Sequence, residues 1–367
     1  MSFLTLNFPM GLALIAGFIV SFITIPPIVR ISREKKLVAL PNGRTSHSGA
    51  IPALGGVAIF GATILGTSLF MTPDSLGEFR YILAALFIVF GIGLKDDLVN
   101  LSWSRKFIAE AIAALLVVVL ADVRISTFHG MLGIGTLPLW FSIVYSVLVF
   151  LFLINAFNLL DGIDGLASGM GIFISLVFGI WLSTLGATNF SILAFSLAGG
   201  LIAFYGFNVF GKKHKLFMGD SGSLVLGFLF SVLSIKILCC EVAPSNPHYM
   251  LAFPTVIMSV MIIPMIDTIR VFTLRILRGQ SPFHADRTHL HHIFLRLGFS
   301  HLQASLTIIA MNAALFALCY SLRDINALLL AVILFTLGLA LSLIPCYIAQ
   351  CAKVEKEAPH LEPVLKD

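Results

Sequence analysis

Charged residues are scarce in this sequence. Only 11% of its 367 residues are Asp, Glu, Lys or Arg, whereas 58% are hydrophobic and the mean hydropathy is +1.01. Because a soluble globular domain is about 25% charged, this composition excludes a soluble protein, and it excludes disordered and fibrous chains as well. It predicts an all-α, polytopic integral membrane protein.

Cysteine is also rare, and so is any sign of a second domain. The five cysteines lie in or beside apolar runs with no metal-ligand spacing, which predicts small buried hydrophobic residues. No internal repeat or soluble domain is visible, and nothing indicates a nucleic-acid partner. The first apolar run, residues 8–29, is long for a signal peptide and has no basic residue before it, so we expect a retained transmembrane helix.

Long apolar runs account for most of the chain. A spanning helix needs about 20 apolar residues, and we predict eleven spans: 8–29, 55–72, 80–95, 106–121, 139–157, 165–184, 190–210, 221–240, 250–277, 302–320 and 326–348. Pro264 should kink the ninth span, because proline removes a helical donor and clashes with the preceding turn. The outer segment 122–138 predicts a small hairpin.

The basic residues predict the orientation. Of the 23 Lys and Arg residues, 19 fall on one side of these spans, and only Arg80, Arg124, Lys236 and Arg323 fall on the other. Since inner loops are enriched in positive charge, the topology is predicted to be N-out and C-in, with the active site on the cytoplasmic face. We expect residues 1–348 to form a single transmembrane catalytic domain and residues 349–367 a disordered cytoplasmic tail.

Residues 155–165 concentrate two amides and two carboxylates between apolar runs. These are Asn155, Asn158, Asp161 and Asp164. A helical turn would place Asn158, Asp161 and Asp164 on one face. Carboxylates this close to a membrane are costly and therefore indicate a functional site.

Five polar, glycine-punctuated stretches emerge on the predicted inner face, which favours one composite site. Together they carry five acids: Asp96, Asp97, Asp161, Asp164 and Asp220. Oxygen ligands of this kind suit Mg²⁺ or Mn²⁺, which take one or two carboxylates and leave other positions to phosphates and water. The site is therefore expected to hold a divalent cation together with a phosphate group.

Other residues of the same stretches extend this interpretation. Asp220 opens the eighth span, whose N-terminal amides favour a phosphate. Phe217 lies just before that helix, where it could stack on a base. Lys106, Arg287 and the histidines of the last inner loop could neutralise a diphosphate.

Several of these residues also have simpler explanations. Asp96 and Asp97 could be charges at the membrane interface, and the lysines between 212 and 215 a topological signal. Asp267 could simply pair with Arg270 three positions later. The run from His289 to His292 could bind a metal, but it lacks a nearby Cys or Glu, so a phosphate or sugar contact is favoured.

Together these motifs resemble those of the polyprenyl-phosphate N-acetylhexosamine-1-phosphate transferases, from about Pro41 to Gly298. The similar elements are Asp96-Asp97, Asn155-x-x-Asn158-x-x-Asp161-Gly-x-Asp164-Gly, Phe217-Met-Gly-Asp220-x-Gly-Ser and Asp286-Arg287-x-His289-x-His291-His292. Each motif alone is weak, and it is the four in order within an eleven-span chain that carry the resemblance. The histidine pattern is similar to the GlcNAc branch of the family. The short loop after Asp97 and the absence of a lysine just before Pro52 depart from the MurNAc-pentapeptide branch.

The resemblance implies a role for each residue. Asp220 would be a Mg²⁺ ligand with Asn158 beside the ion, Asp96 a candidate base next to Asp97 at the lipid phosphate, and Lys106 a contact of the diphosphate. Asp161 would belong to the catalytic acidic group. For uracil, the implied binding residues are Phe217, Asp164 and Asn208. For the sugar phosphate, they are Arg287, His289, His291 and His292. Asn155 is a further substrate-binding residue, with no part of the substrate assigned to it.

The resemblance also implies the reaction. We expect transfer of an N-acetylhexosamine-1-phosphate, GlcNAc-1-phosphate in the first instance, from a UDP-sugar to undecaprenyl phosphate with release of UMP. This would be the first membrane step of a cell-surface polysaccharide such as O-antigen or teichoic acid, in the bacterial inner membrane, with a homodimer as one assembly. The alternatives are another UDP-N-acetylhexosamine, UDP-MurNAc-pentapeptide, or a cation-coupled transporter, which would have polar residues near mid-membrane and two related halves.

Overall fold

The computed structural model describes residues 3–37, 51–72, 76–240, 249–282 and 287–357. Their helices, in chain order, are α1 (Phe3–Glu34), α2 (Gly55–Phe70), α3 (Leu76–Val99), α4 (Trp103–Leu120), α5 (Leu139–Leu160), α6 (Leu166–Thr184), α7 (Thr188–Phe210), α8 (Asp220–Leu238), α9 (Phe253–Ser259), α10 (Ile262–Leu277), α11 (Leu290–Arg296), α12 (His301–Ser321) and α13 (Ala327–Glu357). Among these residues there is no β-strand, so the predicted all-α class is confirmed.

Each of the eleven predicted spans is helical. They correspond to α1 to α8, the pair α9 and α10, α12 and α13. Within the described residues, seven helices are long and apolar enough to cross a membrane by themselves, or up to eight if the bent pair α9–α10 is one span. The remaining helices, α2, α3 and α4, are shorter or carry more charge and pack against these spans. A multi-pass membrane protein is confirmed, whereas the count of eleven and the orientation stay predictions.

Helix α8 forms the centre of the bundle. Sixteen of its 19 residues are buried, including small residues that let neighbouring helices approach closely. A Cβ added at Gly227 would meet the Cα of Ile154 on α5 at 2.5 Å. Its neighbours α2, α3 and α5 pack around it. The N-terminal residue Asp220 is thereby fixed at one end of the bundle.

The bend expected near Pro264 is a break between α9 and α10. The two helices meet at 77°, around Val260 and Met261. Val260 is four residues before Pro264, where the proline ring clashes with a helical carbonyl. Asn312 on α12 satisfies the freed backbone groups, since its side chain accepts from Ile263 N–H at 3.0 Å and donates to the Val260 carbonyl at 2.9 Å.

Some expectations at the periphery change. The predicted outer hairpin is present in a short form, with an antiparallel bridge between Thr127 and Thr136 and backbone hydrogen bonds from Leu137 N–H to the Ser126 carbonyl and from Phe128 N–H to the Gly135 carbonyl. Helix α13 continues to Glu357, past the predicted start of the tail, and residues 358–367 lie outside the described part. The expectation that all cysteines are buried is wrong for Cys239 and Cys351, which are exposed because they lie at or near the ends of α8 and α13.

Candidate active site

Asp97 fastens the end of α3 to the start of α8. Its carboxylate accepts the backbone N–H groups of Asp220 at 2.6 Å and Ser221 at 3.0 Å. These are among the first N–H groups of α8, which have no partner within the helix. Gly219 precedes them with a φ of 74°, and a Cβ there would collide with the Ala53 carbonyl at 2.1 Å. Asp97 therefore sets the direction of the helix that carries Asp220.

Lys106 joins two acids of the predicted catalytic set. Its ammonium lies 2.7 Å from Asp220 Oδ2 and 3.0 Å from Asp96 Oδ2. The other oxygen of Asp220 accepts from Asn158 Nδ2 at 3.0 Å, and the other oxygen of Asp96 accepts from the backbone N–H of Leu101. Four side chains from four different helices thus meet at one point, with Asp220 in the middle.

Asp161 lies beside this cluster, directly after α5. Burial, and then the negative charges of Asp220, Asp97 and Asp164, raise the pKa of its carboxyl to about 8. The neutral form is favoured because a buried carboxylate among other acids has no compensating charge. A cation bound nearby would relieve the same repulsion.

Two basic side chains from outside its own loop donate hydrogen bonds to Asp164. Its Oδ2 lies 2.7 Å from Lys215 Nζ and 3.1 Å from His301 Nδ1. Close by, Asn208 accepts from Gly165 N–H at 2.7 Å and donates to the Leu216 carbonyl at 2.9 Å. The loop after α5 is thus attached to the loop before α8 and to the start of α12.

Phe217 is held by backbone pairing with the segment that precedes α2. Its N–H donates to the Pro52 carbonyl at 2.8 Å, and its own carbonyl accepts from Gly55 N–H at 2.9 Å. The side chain is half-buried. This pairing fixes the aromatic residue between Lys215 and Asp220 in the same loop.

His289 belongs to a buried ionic network around Asp267. Its Nδ1 donates to Asp267 at 2.9 Å, and its Nε2 lies 3.4 Å from the guanidinium of Arg275. Asp267 also pairs with Arg270 at 2.6 Å, as the i, i+3 spacing indicates, and accepts Leu290 N–H at 3.1 Å. Both ring nitrogens of His289 are therefore engaged within the protein, and Asp267 anchors the first residue of α11.

His291 packs onto the loop after α5. A Cβ at Gly162 would come within 2.1 Å of its Nε2, and the ring lies between those of His289 and His292, with centroids 5.8 Å and 4.3 Å away. Burial and the charge of the neighbouring His292 lower the pKa of His291 to about 3. His291 is thus a neutral ring against the acidic loop, while Arg287 lies exposed before α11.

Asn155 contacts an acid that the sequence interpretation did not single out. Its Nδ2 donates to Glu110 Oε2 at 2.8 Å, and Glu110 is only 2% exposed. Both residues line a cavity of about 120 Å³ that also reaches Lys106, Asn158 and Arg275. A small cavity with polar and aromatic walls therefore adjoins the acidic cluster.

The structure thus brings the predicted residues together in three neighbouring groups. The first contains Asp96, Asp97, Lys106, Asn158 and Asp220, the second Asp164 and Asn208, and the third the histidines of α11. Asp161 lies between the first two. Sequence reasoning missed Glu110, Lys215 and His301, because Lys215 resembles a topological charge and the other two belong to no recognisable motif. The roles assigned to the predicted residues stay predictions.

The available side chains fit a divalent cation whose remaining ligands come from a substrate and water. In the described ranges, no three His, Cys, Asp or Glu side chains are grouped as a metal site. Asp220 and Asn158 instead offer one carboxylate and one amide. This is the partial protein shell that Mg²⁺ uses when phosphates and water supply its other ligands.

These observations define a class: a polytopic helical membrane protein with a composite acidic site where loops meet the ends of spanning helices. Glycosyl transferase family 4 matches residues 79–238. An undecaprenyl-phosphate α-N-acetylglucosaminyl 1-phosphate transferase of Salmonella typhi is 30% identical over 313 residues, which is 83% of this chain and 81% of the relative.

Two further relatives agree. The Yersinia pestis protein of the same name is 29% identical over 77% of this chain and 75% of its own length. A decaprenyl-phosphate N-acetylglucosaminephosphotransferase of Mycobacterium tuberculosis is 28% identical over 86% of this chain and 84% of its own length. The chain belongs to the family of polyprenyl-phosphate N-acetylhexosamine-1-phosphate transferases.

Proposed function

We propose that this protein transfers GlcNAc-1-phosphate from UDP-GlcNAc to undecaprenyl phosphate and releases UMP. The observation that carries the proposal is the contact of Lys106 with Asp96 and Asp220, which places one cation among acids of separate helices. The names of the relatives support the sugar and the lipid. The reaction would take place at the cytoplasmic face of the bacterial inner membrane and begin a cell-surface polysaccharide.

The chemistry is a displacement at phosphorus. An oxygen of the lipid phosphate attacks the β-phosphorus of UDP-GlcNAc, the bond from this phosphorus to the bridging oxygen breaks, and UMP leaves with the bond's electrons. The second pKa of a phosphate monoester is about 6, so the nucleophile is already mostly ionised at neutral pH. Asp96 therefore has to orient the lipid phosphate more than to deprotonate it.

Lys106 and the metal residues act on the diphosphate. Lys106 can exchange its carboxylate partners for phosphate oxygens, which stabilises the charge that moves onto the leaving group. We propose that Asp220 and Asn158 hold Mg²⁺, with Mn²⁺ as an alternative. When bound, the ion supplies charge neutralisation of the diphosphate.

The remaining groups would hold the two ends of the nucleotide sugar. Phe217 and the loop of Asp164 and Asn208 are proposed to bind uracil, and Arg287, His291 and His292 the sugar phosphate. His289, whose ring nitrogens are both engaged within the protein, would position the other two histidines through its contact with Asp267. His291, as a neutral ring, would contribute hydrogen bonding and shape instead of charge. The backbone pairing of Phe217 gives the base site a fixed wall.

A donor panel tests the proposal. Purified protein in lipid nanodiscs receives Mg²⁺, undecaprenyl phosphate and, in turn, UDP-GlcNAc, UDP-GalNAc, a UDP-deoxy-N-acetylhexosamine and UDP-MurNAc-pentapeptide, and UMP release is measured. We expect UMP and a lipid-linked product with UDP-GlcNAc. If UMP is released only with a different donor, that donor replaces UDP-GlcNAc as the substrate. If no donor gives UMP, the proposed function is wrong.

The role of Asp96 has its own test. Asp96→Asn keeps the size of the side chain but removes the charge that faces Lys106, so we expect turnover to fall about 100-fold, the size of effect that one positioned electrostatic group contributes. Near-normal turnover would contradict the role. A trapped phospho-enzyme would contradict direct attack by the lipid phosphate.

A further inference from the structure

Lys215 and His301 approach a single oxygen of Asp164 from two different elements. Lys215 comes from the loop before α8, and His301 is the first residue of α12. A carboxylate can only accept hydrogen bonds, so His301 Nδ1 carries the proton in this contact. Both donors contact Oδ2, and in the described part of the chain no donor contacts Oδ1.

This arrangement orients the carboxylate of Asp164 and keeps it charged. Although burial opposes it, the hydrogen bonds from His301 and Lys215 hold the pKa of Asp164 below its usual range. Its neighbour Asp161 is pushed in the opposite direction, towards the neutral form. Two acids three residues apart are thus kept in different states by their surroundings.

The same network limits how far Asp164 can lie from the acidic cluster. Residues 215–220 connect the Lys215 contact to the Asp220 contact, and this length of chain reaches at most about 17 Å. Phe217 lies within it, and Asn208 ties Leu216 to Gly165. A ligand with a phosphate at Asp220 and an aromatic ring at Phe217 would therefore present the edge of that ring near Asp164.

We propose that Lys215 and His301 are specificity-determining residues that position Asp164 as an oriented acceptor for the N3–H of uracil, so that the site selects uridine over cytidine nucleotides. The proposal rests on the proposed function and assigns these two residues within it. Uracil N3 carries a hydrogen, whereas cytosine N3 carries a lone pair. A fixed carboxylate oxygen bonds the first and repels the second, and a site built to make one hydrogen bond discriminates strongly against a ligand that lacks it.

The experiment compares selectivity among variants of the full-length protein. Lys215→Met and His301→Phe remove one donor each, and His301→Asn keeps an amide N–H close to the position of Nδ1. Lys212→Met is the matched control, because Lys212 is an exposed lysine of the same loop. For each protein we would measure kcat, KM for UDP-GlcNAc, KM for undecaprenyl phosphate, and inhibition by UMP and by CMP.

We expect Lys215→Met and His301→Phe to raise KM for UDP-GlcNAc and to lower the preference for UMP over CMP, each by about tenfold, the usual effect of losing one charge-assisted hydrogen bond. Turnover and the KM for the lipid should stay within about twofold. His301→Asn and Lys212→Met should keep the selectivity of the wild-type protein.

Binding of UMP and CMP, followed as ligand-induced shifts of the melting temperature, reports the same preference without turnover. An unchanged UMP-to-CMP ratio in both folded variants would show that Lys215 and His301 only join loops, and would overturn the proposal. Wild-type protein that releases no UMP from any UDP-sugar would instead overturn the proposed function, and the two failures are therefore distinguishable.

Discussion

At the scale of single residues, the candidate site depends on glycines, which have no side chain, as much as on its polar side chains. Gly162 lies between Asp161 and the apolar start of α6, and the His291 ring occupies the space where its Cβ would be. Gly219 similarly leaves room for the Asp97 carboxylate, whose oxygens would be 2.7 and 2.8 Å from a Cβ there. Glycine at position 162 therefore allows the acidic loop to approach His291, and glycine at position 219 allows Asp97 to approach the N-terminus of α8.

We predict that Gly162→Ala displaces His291 and the acidic loop. The added Cβ would meet the ring at 2.1 Å, and overpacking of this kind costs about 1–3 kcal/mol. Sugar-phosphate transfer should fall about tenfold or more, with a lower melting temperature. Gly206→Ala on α7 is the matched control, because nothing lies within 4 Å of its Cβ. Equal activity of the two variants would contradict a close fit at Gly162.

A second residue-scale prediction concerns the pH dependence of stability. An unfolded Asp ionises near pH 3.9, whereas the pKa of Asp161 is raised to about 8 in the folded protein. The folded state thus binds the extra proton between these values, so the contribution of Asp161 to the free energy of unfolding falls as pH rises from about 4 to about 8. The Asp161→Asn side chain does not ionise, so the stability of this variant lacks this pH dependence.

The measurement is a series of thermal melts in EDTA from pH 5 to pH 9. The melting temperature of Asp161→Asn, relative to the wild-type protein, should increase up to about pH 8 and then level off. A difference that stays constant over this range would show that Asp161 is ionised in the folded protein. Added Mg²⁺ should reduce the difference if a cation binds beside these acids.

At the scale of elements, the break between α9 and α10 directs a helix towards the site. Helix α10 carries Asp267 and Arg275, which bind His289 and hold the first turn of α11. The sequence predicts the bend, since Pro264 is visible within a long apolar run. It does not reveal Asn312, which comes from a helix about 50 residues later and completes the hydrogen bonds of the break.

We predict that Asn312→Leu destabilises this break and the site together. It would leave Ile263 N–H and the Val260 carbonyl without their partners in a buried environment, which costs about 1–3 kcal/mol for each buried group. The melting temperature and the transferase activity should both fall. Leu306→Ala, an exposed apolar position on the same helix, serves as the control. Normal stability of Asn312→Leu would show that these backbone groups find other partners.

At the scale of the whole molecule, sequence reasoning succeeds where the signal is local and fails where distant residues meet. The apolar runs predict every long helix because each run must satisfy its own backbone groups in the bilayer. The motifs predict Asp96, Asp220 and Asn158 as neighbours. In contrast, the pairing of Asp164 with His301 joins residues 137 positions apart, and Glu110 is an ordinary polar residue until α5 places Asn155 beside it. Short α11 was missed because seven residues give no helical period.

The predicted orientation can be tested with cysteines that the protein already has. Cys239 is exposed directly after α8, at the end opposite Asp220, and Cys351 is exposed near the end of α13. With the N-terminus outside and the C-terminus inside, Cys239 faces the outer side and Cys351 the cytoplasm. Variants in which Cys239 or Cys351 is the single remaining cysteine would be treated, in intact spheroplasts, with a maleimide that cannot cross the membrane. The labelling is done at about pH 8.5, where a larger fraction of each thiol is the reactive thiolate.

We expect Cys239 to be labelled in intact spheroplasts and Cys351 only after the membrane is permeabilised. Labelling of both in detergent shows that each thiol is reactive. The opposite pattern would invert the topology and place the acidic site on the outer face, where a nucleotide sugar made in the cytoplasm could not reach it. Orientation is thus the property of the whole molecule on which the proposed reaction depends, because the charge bias that predicts it also assigns Asp96, Asp161 and Asp220 to the side of the donor.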